Sequence, residues 1–216
     1  MRSRALQAIG ADYFIGGSVA SSLQATAHST SDVDFIVRMQ RRQAQALADQ
    51  LGPAYAVDVE ALRDAISKRW PWNIFDLETG IKIDLMMSEA TPYDLEAFAR
   101  RRRFKIDVDC EPFIKTVEDS ILKKLPWCRD GGEQSSTQWR DVAELIRVNH
   151  AGLERSYLDL WATDLGIAGP LEQGEARGPG PTRRLEATSR QDEANKNART
   201  LRGIRRLKVQ LTLKQH

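Results

Sequence analysis

Residues 15–35 read IGGSVASSLQATAHSTSDVDF. An apolar strand ends at Ile15, two glycines and a serine follow, and Asp32 and Asp34 come about fifteen residues later. Two carboxylates separated by one residue in a strand lie on the same face, and they repel each other unless positive charge lies between them. The stretch therefore predicts a strand, a glycine turn, a helix and a second strand whose aspartates require a cation.

The composition fits a soluble chain with an uneven charge. The 216 residues are 41% hydrophobic and 29% charged, which suits one medium domain with or without an appendage. Residues 1–168 carry 21 basic and 25 acidic side chains, whereas residues 169–216 carry 11 and 5. Because the body is mildly acidic, it is not an obvious polyanion-binding surface, and the net charge of +2 comes from the last segment.

Three further features bear on the compartment. The sequence has no apolar run long enough to span a bilayer, so no membrane contact is expected. The start, MRSRALQAIG, lacks the apolar stretch of a signal peptide, which favours a cytoplasmic protein. Cys110 and Cys128 are read as reduced structural thiols, in preference to a disulfide or a zinc site.

Hydrophobic periodicity in residues 1–115 predicts an α+β fold, with a mixed β-sheet and helices packed on it. The predicted strands are 13–15, 32–38, 55–57, 73–77, 81–86 and 104–109. The predicted helices are 18–24, 41–51, 59–70 and one that ends with AFARRR at residue 102. The strands 73–77 and 81–86 flank the turn Glu78-Thr79-Gly80 and form a hairpin.

A small helical bundle is predicted for residues 116–168, followed by a tail over 169–216. The first helix starts with a capping box at Thr116 and is ended or bent by Pro126; the others are TQWRDVAELIRV, capped by Ser135 or Ser136, and SYLDLWATDLG. Past Gly169, GPLEQGEARGPGPTRR reads as linker or disorder. LRGIRRLKVQLTL reads as a basic amphipathic helix; a solvated tail is favoured there over a nucleic-acid or membrane contact.

The turn Gly16-Gly17-Ser18 is a candidate phosphate site. Glycines let the backbone approach a ligand closely, and a helix that begins at Ser18 points free N–H groups and its positive dipole end at that ligand. The signal is weak by itself, because a Gly-Gly turn before a helix is common.

Asp32, Asp34 and Asp84 are the candidate metal ligands. Carboxylates are hard oxygen donors suited to Mg²⁺ or Mn²⁺, and three of them around two ions would serve two-metal phosphoryl chemistry. The alternative is that Asp32 caps its strand while Asp34 and Asp84 face water. The three carboxylates together with the glycine turn favour the metal site.

These motifs resemble a known superfamily. GGS, the later Ser31-Asp32-Val33-Asp34 and a further strand aspartate, Asp84, resemble nucleotidyltransferases of the DNA polymerase β type. VEDSILKKL (117–125) and QWRDVAEL (138–145) are similar to the helical half of abortive-infection (AbiEii-like) toxin nucleotidyltransferases and their uncharacterised bacterial relatives. The resemblance covers roughly residues 11–167.

The resemblance implies a role for each matching residue. Gly16, Gly17 and Ser18 would hold the triphosphate; Asp32 and Asp34 would bind metal, with Asp84 as third ligand or as base. Lys123, favoured over Lys124, would pair with phosphate oxygens, a task suited to a point charge on a flexible stem. Asp141 would orient that lysine. The alternatives are a solvated helix face for the lysines and a surface ion pair for Asp141.

The implied activity is Mg²⁺- or Mn²⁺-dependent transfer of NMP from an NTP, such as ATP, to a hydroxyl of an acceptor. The acceptor would be RNA, for instance a tRNA end, a protein or a small molecule, and a toxin would have an antitoxin partner. Two other classes compete: a catalytically idle nucleotide-binding or antitoxin-like regulatory protein, and a DNA-contacting partner subunit that relies on the basic tail.

One segment departs from the family pattern. Many relatives carry G-x-x-R-x-T before the aspartate pair, where this chain has Ala25-Thr26-Ala27-His28-Ser29-Thr30. Ala25 and His28 therefore stand in the places of the glycine and the arginine. His28 remains a candidate donor to phosphate, with a charge that depends on its surroundings.

Overall fold

A computed structural model describes residues 2–25, 32–78, 80–108, 110–130 and 135–177. The helices of these residues are α1 Arg2–Ala8, α2 Gly17–Gln24, α3 Gln43–Leu51, α4 Val59–Lys68, α5 Pro92–Arg100, α6 Val117–Asp130, α7 Ser135–Asn149, α8 Arg155–Asp164 and α9 Ala168–Arg177, with a 3₁₀ turn at His150–Gly152. The strands are β1 Asp12–Ile15, β2 Asp32–Arg38, β3 Tyr55–Ala56, β4 Trp72–Asp76, β5 Lys82–Met87, β6 Arg102–Arg103 and β7 Phe113–Ile114.

The described residues divide into two compact units. The first contains residues 2–20 and 32–115, and the second contains residues 21–25 and 116–177. The chain passes from the first unit to the second inside helix α2, is back in the first unit at residue 32, and enters the second again after Lys115.

The first unit is built on one sheet. The strands of the described residues are ordered β3-β4-β5-β2-β1-β7-β6. Strands β2 and β5 are parallel, as are β1 and β7, while the remaining neighbours are antiparallel. The sequence prediction of an α+β fold with a mixed sheet is therefore confirmed, and so is the hairpin that β4 and β5 form.

Period-two alternation divides the side chains of β2 between the two faces of the sheet. Val33, Phe35 and Val37 are buried on one face, together with Ile83 and Leu85 of β5. The other face carries the aspartates at one end of β2 and Ile36 further along. There, Ile36 packs against a cluster formed by Phe14, Ala97 and Phe98. The apolar part of this face is thus covered by helix α5, and the acidic part lies beyond it.

The edge of the sheet differs from the prediction. AFARRR does not stay helical to residue 102, because α5 ends at Arg100 and β6 begins at Arg102. Residues 104–108 form no strand, so the prediction for FKIDVD is wrong over the described part of that segment. The contacts of Arg101 favour the end of helix α5 at this point. Its guanidinium lies over the Phe113 ring at 4.7 Å and pairs with Asp12 at 3.0 Å.

The second unit contains the predicted helices and one more. Helix α6 runs through Pro126 to Asp130, and its start is capped by Thr116, whose hydroxyl oxygen accepts from the Asp119 N–H at 3.2 Å. The linker predicted past Gly169 is wrong as far as Arg177, because these residues form α9. Its Leu171 and Gly174 are buried, and Gly174 lies so close to Val142 that a Cβ would approach Cγ1 to 2.8 Å.

Two further properties of the described residues concern membrane crossing and the cysteines. No helix among them combines the length and the apolarity that crossing a membrane requires. Cys110 and Cys128 are both buried, and neither forms a disulfide within the described part of the chain.

Candidate functional site

Two strands bring three aspartates together on one face of the sheet. In the parallel pairing of β2 with β5, Asp34 lies opposite Asp84, and Asp32 lies opposite Lys82. Residues opposite each other in neighbouring strands share a face, so Asp32, Asp34 and Asp84 all lie on the same side. The Asp32 side chain is 45% exposed and that of Asp84 is 14% exposed. The carboxylate set therefore runs from solvent into the unit.

The glycine turn packs directly against this carboxylate set. The Gly16 N–H donates to the Asp34 carbonyl oxygen at 2.9 Å. Gly17 has φ +54°, in the left-handed region that favours glycine, and a Cβ there would overlap Asp34 Oδ2. Helix α2 starts at Gly17, and Ser18 is exposed in its first turn. The predicted phosphate-binding turn thus contacts the predicted metal-binding aspartates at Asp34.

Lys82 supplies positive charge between the aspartates. Its Nζ lies 2.9 Å from Asp84 Oδ2 and 3.7 Å from Asp32 Oδ2. The hydrogen bond to the Asp84 carboxylate raises the pKa of Lys82 above the usual lysine value. The sequence pattern already puts Lys82 and Asp84 on one face, but Lys82 lies in no motif that predicts a function for it.

Lys115 is a second cation that sequence reasoning missed. It follows Ile114, which pairs with Ile15, and its N–H donates to the Ile15 carbonyl at 3.2 Å, beside the glycine turn. Although it is a lysine, only 5% of its surface is exposed. No local sequence pattern predicts that Lys115 is buried, because its burial depends on the long-range pairing of β7 with β1.

The surroundings of Asp34 shift the pKa of its carboxyl group. Its burial and, next, the Asp84 carboxylate raise its pKa above the usual aspartate value, while the ammonium groups of Lys115 and Lys82 oppose that shift. Two nearby carboxylates in a partly buried place favour a proton or a cation at the site.

The donor chemistry fits a divalent cation. Asp84 Oδ1 is buried and, within the described part of the chain, has no hydrogen-bond partner. Such an oxygen is costly to bury unless something binds it, and carboxylate oxygens are the ligands that Mg²⁺ and Mn²⁺ prefer. Among the same residues, however, no three His, Cys, Asp or Glu side chains are gathered in a metal-holding arrangement. The position between Asp32 and Asp84 is instead spanned by the Lys82 ammonium.

In the second unit the aspartate of the QWRD helix pairs with a different lysine from the one favoured by the sequence. Lys124 Nζ donates to Asp141 Oδ2 at 2.9 Å and to Gln138 at 3.1 Å. Lys124 and Asp141 are both buried, whereas Lys123 is exposed, as is Trp127 one helical turn later. The expectation that Asp141 orients Lys123 is therefore replaced by a buried Lys124–Asp141 pair.

The buried acids of α6 make hydrogen bonds within the same unit. Asp119 accepts from the Tyr157 hydroxyl and from the Thr116 hydroxyl, each at 2.8 Å. Glu118 accepts from the Glu154 N–H at 3.0 Å. Both acids hold helices together.

His28 and its neighbours 26–31 lie outside the described residues. The prediction that His28 donates to phosphate in place of an arginine stays a prediction.

Several chains of solved structures match this chain significantly. No protein-family model matches the chain, and no curated protein matches it significantly. The chain is similar to the crystal structure of an antigenic nucleotidyltransferase-like protein from Paracoccidioides brasiliensis, at 17% identity and a TM-score of 0.44, over 79% of this chain and 88% of that one.

Proposed function

We propose that the chain is a metal-dependent nucleotidyltransferase that transfers NMP from an NTP to a hydroxyl of an acceptor. The observation that carries the proposal is the pairing of Asp34 with Asp84 on adjacent parallel strands, with Asp32 two residues earlier and Gly17 packed against Asp34. Three carboxylates gathered beside a glycine turn repel one another unless cations bind them, and such a turn can bind phosphate.

Asp32, Asp34 and Asp84 would hold Mg²⁺ or Mn²⁺. When bound, such an ion neutralises phosphate charge and lowers the pKa of an attacking hydroxyl. Asp84 Oδ1, which is buried without a hydrogen-bond partner among the described residues, is an oxygen that such an ion would satisfy.

The residues of the first unit have separate tasks in this proposal. The N–H groups at the start of α2, at Gly17 and Ser18, bind the triphosphate, and the Gly16 backbone ties that turn to β2. Lys115, buried beside the turn, supplies fixed positive charge toward the phosphates. Asp84 is either a metal ligand or the base that takes the proton of the acceptor hydroxyl. Lys123 and His28 remain phosphate ligands proposed from the sequence alone.

The Lys124–Asp141 pair is assigned a structural role. Both side chains are buried, and each satisfies the charge of the other at 2.9 Å. An ammonium so engaged is not available to bind phosphate, so Asp141 acts on the helices of the second unit.

The acceptor is proposed as a class: RNA such as a tRNA end, a protein, or a small molecule. A toxin acting in the cytoplasm with an antitoxin partner is the biological setting that the sequence resemblance suggests. The mildly acidic residues 1–168 argue against a wide nucleic-acid footprint on that part of the chain.

A second candidate is a catalytically idle nucleotide-binding or antitoxin-like regulatory protein. One observation favours it: the Lys82 ammonium spans Asp84 and Asp32, and no three acidic side chains of the described residues are gathered for a metal. Such a protein would bind an NTP and transfer nothing.

The test is incubation of the full chain with each α-³²P-labelled NTP, Mg²⁺ and total RNA or cell lysate. Wild type is expected to label an acceptor and Asp34→Ala to label none. Asp49→Asn, which changes an exposed aspartate of α3, serves as the control and is expected to match wild type. If wild type and Asp34→Ala give the same background, the chain is not a nucleotidyltransferase under these conditions and the idle candidate replaces it.

A further inference from the structure

Lys82 holds a place that a metal ion would also seek. Its ammonium is 2.9 Å from Asp84 Oδ2 and 3.7 Å from Asp32 Oδ2, and the side chain is one-third exposed. It therefore contacts two of the three carboxylates proposed as metal ligands. The strand register fixes this position, because Lys82 lies directly opposite Asp32 in the parallel pair.

The acidic and basic groups around Asp34 are unequal in number. Asp32, Asp34 and Asp84 are three carboxyl groups, and Lys82 and Lys115 are two ammonium groups. Lys115 is almost fully buried beside the glycine turn, whereas Lys82 reaches the carboxylates from the more exposed side. Of these two cations, Lys82 is the one with room to move.

An ammonium and a divalent ion cannot both sit on the same carboxylate oxygens without strong repulsion. At about 4–5 Å the Coulomb energy of a +1 and a +2 charge is several times the thermal energy even in water. A cation bound by Asp32 and Asp84 therefore repels the Lys82 ammonium that lies on the same two carboxylates.

We propose that Lys82 is a resident counter-ion that holds the carboxylates together in the metal-free protein and competes with the divalent cation for Asp84 and Asp32. This inference rests on the proposed function in one respect, namely that these aspartates bind a divalent cation. Metal binding displaces the ammonium from Asp84 Oδ2. Below a threshold concentration of the divalent cation, Lys82 therefore stays bound to Asp84 and Asp32, and no metal binds there.

The first test is a comparison of Lys82→Met with wild type. Methionine keeps most of the volume and removes the charge, so the metal-free variant has a lower thermal midpoint because its carboxylates repel one another. The same loss removes the competitor, and Mn²⁺ binds on the order of tenfold more tightly. Lys68→Met is the matched control, since Lys68 also pairs with a carboxylate, at 3.9 Å from Asp64 on helix α4 of the same unit.

Both quantities are measured on the full chain after treatment with EDTA. Thermal midpoints are recorded with and without MnCl₂, and the dissociation constant is obtained from the free Mn²⁺ signal in electron paramagnetic resonance. Equal or weaker Mn²⁺ binding by Lys82→Met, with wild-type binding intact, overturns the role of Lys82 alone. Absence of Mn²⁺ binding by wild type overturns it together with the metal site of the proposed function.

A second test uses wild type and does not depend on how the variant folds. Lysine acetylation by acetic anhydride is followed by mass spectrometry with and without Mn²⁺. Release from Asp84 makes Lys82 react faster in the presence of Mn²⁺, while the rate at Lys68 is unchanged. An unchanged or slower rate at Lys82, under conditions where Mn²⁺ binds, contradicts the displacement.

Discussion

Asp34 is constrained from three sides. Gly17 lies against its carboxylate, Asp84 lies opposite it on β5, and Lys115 acts on it from beside the turn. Each neighbour acts through one property. Gly17 lacks a Cβ, Asp84 adds a second carboxylate, and Lys115 adds a buried ammonium. The function proposed for the chain depends on these contacts at the scale of single residues.

Gly17→Ala is expected to lower the free energy of unfolding by at least about 2 kcal/mol. A left-handed φ costs a non-glycine residue about 1–2 kcal/mol, and here the new Cβ also overlaps Asp34 Oδ2. Urea denaturation measures the loss. Gly10→Ala is the control, because Gly10 has φ +65° with nothing within 4 Å of its Cβ position, and it should lose only about 1 kcal/mol. Equal losses would show that Gly17 does not press on Asp34.

The two lysines of α6 should behave differently. Lys124→Met leaves Asp141 buried without its ammonium, and breaking a buried pair in this way costs about 3 kcal/mol. Lys123→Met changes an exposed side chain and should stay within about 0.5 kcal/mol of wild type. Thermal or urea unfolding of both variants decides the matter. A larger loss for Lys123→Met would reverse the assignment of the structural lysine.

At the scale of elements, helix α9 shows how packing overrules composition. Its sequence, AGPLEQGEAR, contains two glycines and a proline, and such a composition is typical of a linker. The helix forms because Leu171 is buried and because Gly174 allows a close approach to α7. The same glycine that weakens the helix in isolation is the one that lets it dock.

Gly174→Leu is therefore expected to destabilise the second unit by about 1–3 kcal/mol, the usual cost of overpacking. The reason is that its Cβ would lie 2.8 Å from Val142 Cγ1 and 3.6 Å from Ile146 Cδ1. Gly169→Ala, in the same helix with open space around its Cβ position, should be neutral or slightly stabilising. Circular dichroism during thermal unfolding compares the two. A neutral Gly174→Leu would mean that α9 does not pack on α7 as described.

At the scale of the whole molecule, local patterns predicted what depends on neighbours in sequence. The alternation in β2 put Asp32 and Asp34 on one face, and the hairpin signals placed Asp84 at the centre of β5. The mixed sheet followed from the alternation of strand and helix patterns. These features are set within a few residues, so the sequence alone was enough.

Features that depend on distant contacts were not predictable in this way. The pairing of Lys82 with Asp32 requires the register between β2 and β5, which are far apart in the chain. A step from Lys123 to Lys124 turns a helix by about 100°, so the choice between them requires knowing which face of α6 meets Asp141. Lys115 is buried only because β7 pairs with β1.

The central claim is that Asp32, Asp34 and Asp84 form a metal site beside a phosphate-binding turn. It is tested most directly by anomalous diffraction from crystals of the full chain soaked with MnCl₂ and a non-hydrolysable NTP analogue. The account predicts the strongest manganese peak in direct contact with oxygens of these aspartates, phosphates over Gly17 and Ser18, and Lys82 Nζ withdrawn from Asp84 Oδ2. A manganese peak elsewhere, or analogue density away from the turn, would contradict it.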